Sequence, residues 1–161
     1  MEKNRDINVE IAGVKLNCRA VGIITRDNKI LFQKRKQDEF WALPGGKIQV
    51  REKSCDTIKR ELEEELGVKI KVGRITNISE YFFNFGEEKY HQYILAYNVE
   101  VIGNEEILNQ DQFRGIEDDE NLIFKWFDIA ELDKAPIKPD FIKKQLKNSL
   151  NETSFSFYED L

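Results

Sequence analysis

Cysteine is scarce in this chain of 161 residues: Cys18 and Cys55 are the only two, and neither sits in a spacing that builds a disulfide framework or a zinc site. They read as reduced thiols packed like small apolar side chains. No apolar stretch approaches the ~20 residues that span a bilayer, and the polar start from Met1 to Glu10 carries no signal-peptide core. Membrane contact is therefore not expected, and a cytoplasmic protein is. Basic charge is short as well: 25 Lys and Arg face 30 Asp and Glu, for a net charge of −5 with no basic stripe. Proteins that grip nucleic acid polymers usually show such a footprint, so a polymer partner is not expected either. A small phosphorylated ligand remains open, provided a metal screens its charge. Repeats and low-complexity linkers are missing, and the length suits a single domain over residues 1–161. Histidine occurs once, as His91, and a lone histidine in a strand reads as structural.

What is present is a patterned globular chain, 40% hydrophobic and 34% charged, a balance that excludes whole-chain disorder. Arg19 to Arg35 reads as a hairpin, with the β-branched run Val21 to Thr25, a turn at Arg26 to Lys29 and a return strand from Ile30. Phe40 to Leu43 then runs into Pro44-Gly45-Gly46, where glycines permit close ligand approach. Ser54 is expected to cap a helix that ends at Leu66, with Gly67 in the left-handed position beyond it. Cys55, Ile58, Leu62 and Leu66 form its apolar stripe. Val68 to Val72 and Ile75 to Phe85 read as separate strands, Gly86 to Lys89 as a turn, and Tyr90 to Ile102 as a further strand. A polar stretch, Gly103 to Asn121, precedes a strand at Leu122 to Phe127 and a second helix between Pro139 and Leu150. Strands flanking two helices predict an α+β sandwich. In the tail, residues 151–161, Phe155, Phe157 and Tyr158 stand among polar residues and could cover a neighbouring copy, as in a homodimer, or their own core.

The first helix carries the chemistry. Glu61, Glu64 and Glu65 lie three and four residues apart, so a helix puts their carboxylates on one surface, while Glu63 points elsewhere. Like charges at these spacings cost about 0.2 to 0.5 kcal/mol per pair unless a cation sits among them. Oxygen donors suit a hard divalent ion, Mg2+ or Mn2+, which shares its shell with water and substrate phosphates. Alone, such a run is most often a solvated face. The wider spacing decides otherwise: Gly46, then Glu52, then Arg60-Glu61-Leu62-Glu63-Glu64-Glu65-Leu66-Gly67-Val68. An accidental match to that whole pattern is on the order of one in a million for this composition.

The pattern over residues 46–68 is the Nudix box, and the chain resembles the Nudix hydrolase superfamily, MutT-like branch, from about Arg19 to Ile129. Ala20 to Ile24, Arg35, Leu43 to Ile48, Phe124 to Phe127 and Glu131-Leu132 carry the likeness beyond the box. It implies an α/β/α sandwich with a mixed β-sheet, in which the box forms a loop, helix, loop unit. It also implies that Glu61, Glu64 and Glu65 bind the divalent ion, helped by a backbone carbonyl near Gly45 or Gly46. Arg60 would hold a box carboxylate in place, and Glu52 would orient or bind metal. Water would attack one phosphorus of a nucleoside diphosphate linked to another group. Phosphoryl transfer needs positioning and charge neutralisation more than covalent help, in keeping with that division of labour. Glu61 is the first choice of general base, with the loop carboxylates Glu87, Glu88, Glu117 and Glu120 as alternatives.

Arg35 and Lys47 flank the glycine turn and are candidate phosphate partners, each also readable as an exposed charge. Tyr81, Phe83, Tyr90 and Trp126 could stack on a nucleobase or pack the core. The leading function is release of pyrophosphate from a nucleoside triphosphate. The alternatives are a pyrophosphatase for ADP-ribose, a nucleotide sugar or a dinucleoside polyphosphate, and, in another class, a nucleotide sensor without turnover. Loss of box carboxylates would mark the sensor, and none is lost.

Overall fold

The computed structural model describes residues 5–117, 121–148 and 152–161. Alternation of apolar and polar positions draws most of the chain into strands. β1 (Asn8–Ile11) turns back into the long β2 (Val14–Arg26), and Asp27-Asn28, both at positive φ, lead into β3 (Lys29–Arg35). The short β4 (Gly45–Lys47) precedes α1 (Ser54–Leu66). β5 (Lys69–Phe85) and β6 (Glu88–Gly103) form the longest hairpin, and β7 (Gln112–Arg114), β8 (Leu122–Asp128), α2 (Phe141–Lys147) and β9 (Ser154–Asp160) follow.

The strand order is β7-β8-β3-β2-β6-β5-β9, with β1 and β4 both pairing with β2. β2 runs parallel to β6 and β5 parallel to β9, whereas the other pairings are antiparallel, so the sheet is mixed as expected. Successive strand residues face opposite ways, and the core divides accordingly. Ala20, Ile24 and Leu31 pack under Ile58, Leu62 and Leu66 of α1. Val21, Ile23, Ile30 and Phe32 pack under Ile142 and Leu146 of α2. A helix on each face makes the α/β/α sandwich.

Several local expectations change. Ser54 is the first helical residue rather than the cap: Lys53 takes the cap position, and the Ser54 hydroxyl lies 2.6 Å from that of Tyr97. Gly67 does take the left-handed conformation, at φ 67, and donates its N–H to the Glu63 carbonyl at 2.8 Å. The break expected between Val72 and Ile75 is a register shift inside one continuous strand, since a bulge lets Gly73 and Arg74 pass without ending the ladder. The polar stretch after β6 contains a 3-10 turn at Glu105–Asn109 and the strand β7. α2 is shorter than expected, and Leu150 lies outside the described residues. The tail forms an edge strand: Tyr158 stacks on Phe141 with centroids 3.5 Å apart, while Phe155 and Phe157 stay exposed.

Candidate functional site

The site is built where β2 and β3 part company. They pair only through Thr25 with Ile30 and Arg26 with Lys29; beyond that β3 turns to β8, and β4 takes the vacated edge of β2. Gly22 donates to the Pro44 carbonyl at 2.8 Å and Ile48 to that of Cys18 at 2.9 Å. Antiparallel alternation makes Ala20 and Gly46 the hydrogen-bonded pair between these two bonds. The ladder thus engages the Gly46 carbonyl and turns that of Gly45 outward, so of the two carbonyls expected to help hold metal only Gly45's is left for it. Gln33 Nε2 of β3 reaches this oxygen at 3.4 Å. Both glycines are sterically required. A Cβ on Gly45, at φ 148, would overlap the Ala20 carbonyl, and one on Gly46 would overlap the carboxylate of Glu61.

α1 lays its charged side against this turn, and Arg60 organises it. Its Nε donates to Glu52 Oε1 at 2.8 Å, Nη2 to Glu52 Oε2 at 3.1 Å and Nη1 to Glu61 Oε1 at 2.7 Å. Nη1 also lies 3.7 Å from Glu64 Oε2, and Nη2 reaches the Lys47 carbonyl at 3.4 Å. Glu52 additionally accepts from the Thr57 hydroxyl at 2.8 Å and the Gln49 N–H at 3.0 Å. With both oxygens so engaged, above all by Arg60, its carboxyl is held at about 2. Glu52 is therefore an anchor for Arg60, whose own pKa those bonds raise. Glu61 moves the other way. Burial pushes its carboxyl up, Arg60 pulls it down, and the neighbouring charge of Glu64 adds a smaller upward push.

The three box carboxylates differ in setting. Glu65 is 5% exposed, the Glu61 side chain 17% and that of Glu64 51%. Among the described residues no three acidic, histidine or cysteine side chains converge into a ready cluster. The mutual repulsion expected of the trio is moderated by Arg60. The donor set nonetheless fits a hard divalent ion: carboxylate oxygens on α1, an outward Gly45 carbonyl, and a turn whose glycines leave room beside Glu61.

Arg19 lies within electrostatic reach of the box carboxylates. Burial lowers its guanidinium pKa, the charges of Glu61 and Glu65 raise it, and Arg35 opposes them, so the four share one electrostatic neighbourhood. Its signal in the sequence was a cation directly before the buried run from Ala20 to Ile24. Arg35 stands exposed at the end of β3. Lys47 pairs with Arg19, and strand alternation turns both away from the face on which Gly46 meets Glu61. Of the loop carboxylates, Glu117 follows Ile116, whose N–H donates to the Glu65 carbonyl at 2.8 Å. Glu88, with Glu87, sits at the β5–β6 turn and is tied to Lys15 and Tyr90; Glu120 lies outside the described residues. Trp126 and Tyr81 are core residues, the indole N–H donating to the Leu108 carbonyl at 3.0 Å. His91 lies 2.9 Å from Glu80. An open hollow of about 480 Å³ elsewhere, bordered by Lys71, Gly73, Arg74, Asn98 and Glu100, carries a single carboxylate.

The NUDIX domain family matches residues 16–147. The chain is 37% identical over 67 residues to an 8-oxo-dGTP diphosphatase from Buchnera aphidicola, covering 39% of this chain and 52% of the relative. It is 36% identical over 87 residues to an ADP-ribose pyrophosphatase from Methanocaldococcus jannaschii, covering 52% of this chain and 50% of the relative. The chain thus spans about half the length of these curated relatives. A MutT NUDIX hydrolase from Burkholderia pseudomallei superposes with a TM-score of 0.57 at 24% identity, covering 82% of this chain and 96% of that one, a likeness of fold.

Proposed function

The chain belongs to the Nudix hydrolase family, and from that premise we propose that it hydrolyses a phosphoanhydride bond in a small nucleotide, with Mg2+ or Mn2+ as cofactor. The observation that carries this reading is the contact of Gly46 with Glu61, fixed by the Arg60 fork onto Glu52 and Glu61. Glu61, Glu64, Glu65 and the Gly45 carbonyl would hold the ion, which when bound neutralises phosphate charge and lowers the pKa of water. The oxygen of water attacks phosphorus, the bridging P–O bond breaks, and the leaving phosphate departs with its electron pair. Glu61 would take the proton, its carboxylate standing against the Gly46 turn beside the proposed ion site. Arg60 keeps Glu61 aimed, and Arg35, exposed at the end of β3, supplies positive charge for phosphates beyond the reacting one, whereas Arg19 and Lys47 face the other side of the sheet.

The preferred substrate is a nucleoside triphosphate cut to the monophosphate and pyrophosphate. A second reading, cleavage of ADP-ribose, is favoured by the likeness to the archaeal ADP-ribose pyrophosphatase. The reduced cysteines, and the fact that no helix among the described residues is long and apolar enough to cross a membrane, accord with the proposed cytoplasmic setting. Purified protein with magnesium, offered nucleoside triphosphates, ADP-ribose, nucleotide sugars and dinucleoside polyphosphates, separates the readings by product. Pyrophosphate release from a triphosphate supports the first, and AMP with ribose 5-phosphate from ADP-ribose the second. Nucleotide binding with no turnover would leave a sensor.

A further inference from the structure

Gln33 lies in the third position of the β3 run Leu31-Phe32-Gln33, where a core residue is expected, and it is 7% exposed. A buried primary amide normally has its donors and its acceptor satisfied, because leaving one without a partner costs about 1 to 3 kcal/mol. The backbone of Gln33 is fully used, exchanging hydrogen bonds with Ala42 at 2.8 Å in both directions. The side chain is not: Nε2 makes its long bond to the Gly45 carbonyl, and Oε1 is buried with no hydrogen-bond partner among the described residues. An apolar residue of similar size would fill this place without that cost. The polar side chain is therefore better explained by something that arrives at the Gly45 carbonyl than by packing.

Resting on the metal reading above, we propose that Gln33 is a positioning residue of the metal centre. Its Nε2 holds the Gly45 carbonyl in the orientation that faces the ion, and its Oε1 accepts a hydrogen bond from an ion-bound water. Oε1 is an acceptor only, and a water on a divalent cation is a strong donor, so the two match in chemistry. The fork between β2 and β3 is what allows the arrangement: were the two strands paired along their whole length, β4 would have no edge to occupy and Gln33 no carbonyl to meet. Partners that orient a metal ligand typically change metal affinity about ten- to a hundredfold when removed.

The test is Mn2+ titration of the whole chain, following free Mn2+ by electron paramagnetic resonance, with melting temperatures in chelator alongside. Gln33→Met keeps the length without the amide, whereas Gln33→Glu keeps an acceptor oxygen and adds a negative charge toward the ion that more than offsets the lost Nε2 donor. The expected result is Mn2+ affinity lowered about tenfold or more in Gln33→Met, retained or raised in Gln33→Glu, with metal-free melting of Gln33→Met equal to or above the parent. Equal Mn2+ affinity in parent and Gln33→Met would overturn the proposal while sparing the metal reading. A parent chain that binds no Mn2+ would overturn both. Should Gln33→Met melt well below the parent in chelator, Gln33 is a structural residue and the proposal fails; should that variant not fold, loss of affinity in Gln33→Glu contradicts it.

Discussion

α1 and α2 cover opposite faces of one sheet by different means. α1 buries Ile58, Leu62 and Leu66 but turns a row of charge toward the Gly45-Gly46 turn, where Arg60, Glu52 and Glu61 interlock at 2.7 to 3.1 Å. α2 buries Ile142 and Leu146 and adds aromatic contacts, Phe141 against Tyr81 and Tyr158, with Lys143 paired to Asp140 and Lys147 to Asp133. One helix is a lid on the core; the other is a lid that also presents oxygen donors. Damage to the two should therefore separate stability from chemistry.

The largest separation is expected between Glu65→Gln and Phe141→Ala. Removing the most buried box carboxylate should lower turnover by about two to three orders of magnitude, since a contact at the developing charge is worth roughly 3 to 4 kcal/mol. Phe141→Ala should instead cost about 1 to 3 kcal/mol in denaturant unfolding and leave turnover per folded molecule unchanged. Equal kinetic loss in both would erase the distinction. Next is Gly46→Ala, whose Cβ would displace the Glu61 carboxylate: a turnover loss of about a hundredfold is expected, with the fold retained by circular dichroism.

Arg60→Ala should have a smaller kinetic effect, roughly ten- to a hundredfold, and a distinct signature in pH. Glu52 has its folded pKa depressed to about 2 from an ordinary 4.5, so its stabilisation is fully present above about 4.5 and is lost as pH falls toward 2. That depression is worth about 3 kcal/mol at most and less after solvent screening at a part-exposed pair. Without Arg60 most of this slope should vanish from melting curves taken between pH 5 and 2. A persistent slope would assign it to other carboxylates. The smallest effect is expected for exposed Arg35→Ala, a rise in KM of about tenfold at unchanged kcat.

The sequence disclosed what is local. The helix and its Gly67 stop, the Asp27-Asn28 turn and the box spacing rest on residues within one or two turns of each other, where pattern and physics coincide. Ser54 misled because its hydroxyl found Tyr97, forty-three positions away, a better partner than its own helix end. Val68 to Val72 and Ile75 to Phe85 read as separate strands, yet the hairpin partner β6 carries the ladder past Gly73 and Arg74. Arg19 and Gln33 were passed over for a related reason: each is an ordinary residue in its own strand and becomes informative only where β2 and β3 diverge around β4. The engagement of both Glu52 oxygens by Arg60, Thr57 and Gln49 is likewise a tertiary fact that spacing does not encode.

Catalysis by the oxygen donors of α1 and the Gly45 turn is put to the test by metal titration of turnover. With the best substrate from the panel, parent chain and Glu65→Gln are stripped with chelator and then titrated with magnesium or manganese. No turnover is expected in chelator, with full recovery of the parent on metal addition and at most about a hundredth of that rate in Glu65→Gln at saturating metal. Undiminished turnover of the parent in chelator, or full recovery of Glu65→Gln, would contradict it.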